Sequence, residues 1–342
     1  MLLLTSAAMA QPPSYGIDFV TIGAAGNPDY VDPGWPNSGW PVHGRGSVGY
    51  EYRIAKLEVT TGQWFEFLNT FSSASVPHPF WQILGPQHWG AAEDPLFPGP
   101  GVRYKLRNLP NATQLPVAGI SWRMSALYCN WLSNGKSASL ASLVTGSYDT
   151  STWGNATQPS GAVYFTDDWT HLPNAPFWIP TLDEHVKASH YDPNRYGPGQ
   201  GGWWASKNSS DIAGTPGPPG VGTTSAGYQP GGGVNVWDIP LGAYPNSLSP
   251  WGLLDTSGGA QELIEEVFNP SNPEDRGYSS SYAGASGHAI WDSIDGIGSI
   301  YPGGTQPSVG LRIASAAPSP TTLAPLAIAG LLFMPTRRRS RI

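Results

Sequence analysis

Residues 52–69, YRIAKLEVTTGQWFEFLN, change their hydrophobic period in the middle. The stretch Tyr50–Val59 (YEYRIAKLEV) alternates as a strand does, and from Thr60 onward the period becomes helical. Thr60-Thr61-Gly62-Gln63 has the Thr-x-x-Gln spacing of a capping box. In that arrangement the threonine hydroxyl and the glutamine carboxamide satisfy the free N–H groups of a first helical turn. Trp64, Phe65, Phe67, Leu68 and Phe71 then follow on one broad face. The stretch therefore predicts a strand running into a capped, amphipathic helix.

Two further segments carry the same signals. A second helix is expected from near Ser121, with Trp122, Ala126, Cys129 and Trp131–Leu132 facing inward, and it stops at Asn134-Gly135, a good C-terminal cap. A third starts at Pro180-Thr181-Leu182-Asp183-Glu184, where Thr181 and Glu184 form another box, and runs to about Ser189. The rest reads as strands and loops. Residues 136–170, rich in Ser, Thr and Gly, and residues 193–233, with three Gly- or Pro-rich clusters, look like long insertions. Loops of that length inside a compact domain tend to be functional.

Composition agrees with a loop-rich but well-packed molecule. Charged residues make up 12%, about half the usual ~25%, while 43 Gly and 35 Pro punctuate the chain and 15 Trp, 15 Tyr and 10 Phe supply a core. The net charge is -7, and four of the 17 basic residues (Arg337, Arg338, Arg339, Arg341) crowd the last six positions, so the body is more acidic still. Such a surface repels phosphate backbones and excludes nucleic acid as a partner. The single cysteine, Cys129, excludes an intramolecular disulfide or a site with several thiolates.

The two ends read as addresses. Residues 1–10, MLLLTSAAMA, close in the small-x-small pattern of a signal-peptidase site before Gln11, and the lack of a basic region ahead of the apolar run implies a start upstream of Met1. The plain alternative is a frayed terminus. Residues 318–342 open with Pro318-Ser319-Pro320, pass through an apolar stretch interrupted by Pro325 and end in the arginine cluster. That order resembles the PEP-CTERM sorting signals of bacterial surface proteins, with Ser319 where Glu is usual. The resemblance implies recognition and removal by an exosortase-type protease, and contact with the membrane only through this segment. A weak permanent anchor is the alternative.

The internal motifs, taken in order, resemble the sulfatase-modifying-factor (formylglycine-generating-enzyme) family. Tyr52 to Asn69 is similar to Y-x-I-x-K-Y-E-V-T followed by Q-Y-x-x-F-L-N. Leu115 to Leu132 resembles P-V-x-x-V-S-W-x-x-A-x-x-x-x-N-W-L, and Ile179 to His185 resembles L-P-T/S-E-x-E-W with His185 in place of Trp. Trp251 to Glu262 resembles G-L-x-D-M-x-G-N-V-W-E, with Gly259 for Asn and Gln261 for Trp. Arg276-Gly277-Tyr278-Ser279 is a degraded R-G-G-S, and Gly310 to Ser315 matches G-F-R-x-A-S. The resemblance implies an α+β, irregular C-type-lectin-like single domain over residues 15–315, with few regular elements and long loops.

The family's oxidases hold Cu(I) between two cysteines near the C-terminal end of the domain, because soft thiolates select that ion. Residues 276–312 contain none, so no copper is expected. Cys129 sits mid-helix, where a buried thiol is inert. The histidines His43, His78, His88, His171, His185, His190 and His288 form no spaced ligand pair, since His185 and His190, five apart, fall on different helix faces. No G-x-S-x-G elbow introduces a serine nucleophile. The family also binds structural calcium through hard oxygen ligands; the resemblance maps one such ligand onto Glu262, and Asn235 and Asp238 are candidates for a second site. Trp203 and Trp204, flanked by glycines in a long loop, are the candidate ligand-binding residues, as an aromatic platform for a sugar ring or as loop packing.

The expected function is a non-catalytic, surface-displayed module binding extracellular carbohydrate, matrix or protein. The alternatives are a formylglycine-generating oxidase or related modifying enzyme that uses other metal ligands, and a structural component of extracellular matrix.

Overall fold

Three helices begin where their caps predict. In the computed structural model, α1 spans Thr61–Thr70 and α3 spans Leu182–His190, each opened by a complete capping box, Thr60 with Gln63 and Thr181 with Glu184. Helix α2, Trp122–Ser133, takes Ser121 as its N-cap and Asn134 as its C-cap. The structure describes residues 11–33, 42–72, 84–157, 159, 161, 163–229, 236–266, 276–279, 297–300 and 302–318. Pro12–Ala317 forms one compact unit. The expected leader and nearly all of the expected sorting segment, residues 1–10 and 319–342, lie outside the described residues, as do His78, Asn235 and His288.

Short strands surround these helices. In chain order they are β1 (Phe19–Ile22), β2 (Tyr52–Ala55), β3 (Ala91–Glu93), β4 (Tyr104–Leu106), β5 (Asn155–Thr157), β6 (Val163–Phe165), β7 (Phe177–Trp178), β8 (Tyr191–Asp192), β9 (Gly202–Trp203), β10 (Gln261–Leu263), β11 (Arg276–Ser279), β12 (Ile297–Ile300), β13 (Val309–Gly310) and β14 (Ala314–Ala316). One antiparallel sheet has the order β1-β2-β14-β7, with Ile54 paired to both Val20 and Ala314. A second has the order β12-β11-β10-β13, in which β10 and β13 run parallel with Gln261 opposite Val309. The remaining strands pair in twos. The fold is thus mixed α and β, with few helices and small sheets, as expected.

Two expectations change. The strand predicted over Tyr50–Val59 is laddered only from Tyr52 to Ala55. Beyond it the backbone bonds pass to scattered partners, Lys56 N to Asp18 O and Val59 N to Leu311 O, and Arg312 Nη1 donates to the carbonyls of Ala55 and Lys56 at 2.9 and 2.8 Å. Helix α2 is buried on both faces, not on one stripe, with every residue from Trp122 to Leu132 inside. Residues 136–170 supply the second cover. Asn130 ties them down: its amide donates to Leu143 O and Tyr148 O, both at 2.9 Å, and its carbonyl accepts from Ser147 N and Tyr148 N, both at 2.7 Å. All the hydrogen-bonding capacity of one carboxamide is used on one loop. Arg123 can be buried on the same helix because Asp167 receives it bidentately at 2.7 and 2.8 Å.

Candidate functional site

The motif residues converge on a buried ionic network. Arg312, fully inside, donates through Nε to Glu262 Oε1 at 2.7 Å and through Nη2 to Leu254 O at 2.9 Å. His185, at the family's Trp position, places Nδ1 3.0 Å from Glu262 Oε2. Glu58 lies alongside, with both carboxyl oxygens 3.1 Å from Ala260 N. Burial and the neighbouring Glu262 charge push the Glu58 carboxyl well above the usual carboxylate range. Burial pushes on Glu262 too, but Arg312 and then His185 outweigh it and hold that group below its usual range. The pair is therefore unequal: Glu58 holds a proton more tightly than a free carboxyl does, and Glu262, paired with Arg312, holds one less tightly.

This geometry bears on both metals. Two thiols are needed for Cu(I), whereas Cys129 is the chain's one cysteine, buried mid-helix in α2, where desolvation drives its thiol well above the usual value. The residues do not fit copper. For calcium, Glu262 Oε1 is taken by the buried Arg312 guanidinium, while Oε2 lies 3.0 Å from His185 Nδ1 and makes no hydrogen bond. Asp238 is half-exposed, 3.6 Å from Arg107 Nη1. Among the described residues no group of three or more His, Cys, Asp and Glu side chains is placed to hold a metal.

Trp203 and Trp204 do not form a joint platform. Trp203 is interior, against Tyr30 and Tyr191 at centroid distances of 5.9 and 5.0 Å, and packs over Gly46, where a Cβ would come within 2.4 Å of the indole. Of the pair, only Trp204 reaches the surface. Arg195 lies 4.2 Å from its ring centroid, and its Nε1 donates to Asp192 Oδ2 at 3.3 Å. His190, on the other side of the same strand pair, has Nδ1 3.0 Å from Trp204 O.

A second polar cluster went unremarked in the sequence. His171 donates its backbone N–H to Glu265 Oε1 at 2.5 Å and sets Nδ1 2.7 Å from Oε2, while its ring stacks on Trp178 at 4.8 Å and 15°. Burial works against charge on His171, yet the bond to Glu265 wins and its pKa is raised. Tyr50 and Trp178 donate to opposite oxygens of Glu184 at 2.9 and 3.0 Å. Nearby, Arg45 clasps Asp183 at 2.9 and 3.1 Å and also reaches Glu266. His171 sits in no motif, and Glu265 had only its place after β10 to signal it. The other described histidines are structural in contact: His43 Nδ1 accepts from Asp32 N at 3.2 Å, and His88 stacks on Trp237 at 5.0 Å.

Comparison with curated proteins gives no match. Among solved structures, one titled "Crystal Structure of CarF" superposes with a TM-score of 0.52 at 17% identity, covering 88% of this chain and 98% of that one. Treponema denticola variable protein 1 gives 0.48 at 14% identity, covering 87% of this chain and 95% of that one. PvdO from Pseudomonas aeruginosa gives 0.43 at 15%, covering 88% and 92%. At these identities the likeness to the first concerns the fold alone. The model of the sulfatase-modifying factor enzyme 1-like domain matches residues 35–317, most of the sequence, and the chain belongs to that family.

Proposed function

We propose that this chain is a non-catalytic member of its family, exported and displayed at the cell surface, where it binds an extracellular carbohydrate, matrix or protein ligand. The observation that carries the reading is the contrast between scaffold and chemistry. The motif residues still build a complete buried framework around Arg312, while the one thiol of the chain is sealed inside α2. The described part of the second insertion points the same way, with Trp204 and Arg195 beside Asp192 presenting aromatic, cationic and anionic groups together. Export and anchoring rest on the ends of the sequence, with an exosortase-type protease as processing partner. Among the described residues no helix is long and apolar enough to cross a membrane.

The rival reading, a modifying enzyme with other ligands, has its best foothold at His171, whose tautomer and orientation Glu265 fixes. Two assays separate them. Oxygen uptake with Cu(I) and a cysteine-containing sulfatase peptide is expected to stay at background, and turnover that disappears in His171→Ala would establish the enzyme. A glycan and matrix-protein array is expected to show binding that Trp204→Ala weakens; an array blank for the wild type would leave the matrix-structural role.

A further inference from the structure

We propose that the cleft between Tyr15–Asp18, the first turn of α1 and the 3-10 turn Ala112–Gln114 is a binding site for a neutral sugar ring. This deepens the binding-module reading and rests on it. The cleft has a volume of about 340 Å³, within the range of small-ligand sites, which start near ~300 Å³. One side of it is built from the opening motif, Ala55 to Glu66, and the tryptophan pair lies outside it.

Its lining combines two chemistries. Half-buried Leu57 and Tyr15 give it its apolar surface, and Asp18, Gln63 and Gln114 give it hydrogen-bonding walls. A pyranose has the same division, a face of C–H groups and a rim of hydroxyls. Charge narrows the choice further. The carboxylates of Asp18 and Glu66 repel an anion, yet each already has an ammonium beside it, Lys56 at 4.0 Å and Lys136 at 2.6 Å, so a cation gains little. A neutral polyol can use the same oxygens as hydroxyl acceptors without contesting either pair.

Parts of the site are set in advance. Gln63 Oε1 accepts from Thr60 N at 3.0 Å in the capping box, which fixes the carboxamide and leaves its NH2 group as the donor on offer. Tyr15, at the edge of the cleft, has φ 50, followed by Gly16 at φ 82. A bulky residue in the left-handed region is costly and persists only where its surroundings hold it. Here Phe177 packs on the ring at 5.8 Å, and Lys136 Nζ lies 5.4 Å from its centroid. The strain fixes an aromatic ring on the wall of the cleft.

The test uses the full chain and ligand-observed saturation-transfer NMR with methyl glucoside, methyl galactoside, methyl mannoside and N-acetylglucosamine, with inorganic phosphate and lysine methyl ester as charged probes in competition. Transfer to the ring protons of at least one sugar is expected, undisturbed by either charged probe. Asp18→Ala/Gln114→Ala removes two exposed side chains and should weaken binding about tenfold or more without moving the melting temperature. No transfer from any of the four sugars, or transfer equal in wild type and double variant, overturns the proposal. Transfer to the monosaccharides that Trp204→Ala abolishes and the double variant leaves intact would refute the cleft while the module reading stands; copper-dependent oxygen uptake would refute the module reading itself.

Discussion

Asp255 offers a direct measurement of the energetics of the buried network. Its carboxylate accepts from Gly242 N at 2.6 Å, and burial is the main reason its pKa rises from 3.8 to about 6, with the Gly242 bond and Arg312 opposing and Glu262 assisting. Because the folded value is the higher one, the folded state keeps a proton that the unfolded chain has already released. The stabilisation is complete below about pH 4 and is lost as pH rises to about 6. At about 1.4 kcal/mol per pH unit, that displacement amounts to roughly 3 kcal/mol. Asp255→Asn isolates it. Asparagine can accept from Gly242 through its carbonyl oxygen, and it tolerates the left-handed backbone at this position, φ 55. Urea unfolding of both proteins from pH 4 to pH 7 should show the variant gaining on the wild type by roughly 3 kcal/mol across the window, with equal stability at the acid end. The pH dependence of Glu265 is common to both proteins and cancels in the difference; the Asp255 charge helps to push Glu58 up, so both proteins also carry Glu58→Gln. Parallel stability curves would refute the assignment of a destabilising buried charge to Asp255.

Restoring the family residue with Gly259→Asn should destabilise the fold by about 1–3 kcal/mol, read from the urea midpoint, because a Cβ there would come within 2.4 Å of Glu58 Oε1; a neutral result would show that Glu58 can move aside. Glu262→Gln leaves Arg312 buried without a counter-charge and should cost about 3–5 kcal/mol. That cost should be the same with calcium and with chelator, whereas a cost abolished by chelator would mean that Glu262 holds a cation. If calcium is instead held through Asn235 and Asp238, it raises the melting temperature of the wild type and not of Asp238→Asn. Cys129 should resist iodoacetamide in the native protein and react fully in denaturant, and rapid native labelling would contradict its burial.

The helix starts could be read from the sequence because a capping box is a contact between residues three apart, and both boxes appear where Thr60 and Thr181 predict them. What escaped was set by distant chain. Strand β2 stops where Lys56 and Val59 take partners from distant chain and a guanidinium 257 residues along reaches the Ala55 carbonyl, and a period-two pattern carries no trace of these. Helix α2 is covered on its second face by a loop that Asn130 recruits, although the same Asn was legible as part of the N-W-L motif. The glycines beside Trp203 suggested exposure, but Gly46, far away in sequence, leaves the gap into which the indole fits.

Gly259 shows why a lost motif residue is weak ground for reading a lost site. The family motif has Asn there, yet the space that a side chain would need is filled by Glu58, a residue that the opening motif of the same family supplies. The substitution and the buried carboxyl fit each other: glycine admits Glu58, burial and the Glu262 charge make Glu58 hold a proton more tightly, and Glu262 is the carboxylate that Arg312 pairs. A proton on Glu58 reduces the repulsion between the two carboxylates, as a cation would. On that argument Glu58→Gln, which keeps the shape and is neutral at every pH, should leave stability unchanged at about pH 4 and raise it as pH increases. A large loss instead would mean that Glu58 is ionised and that something positive faces it.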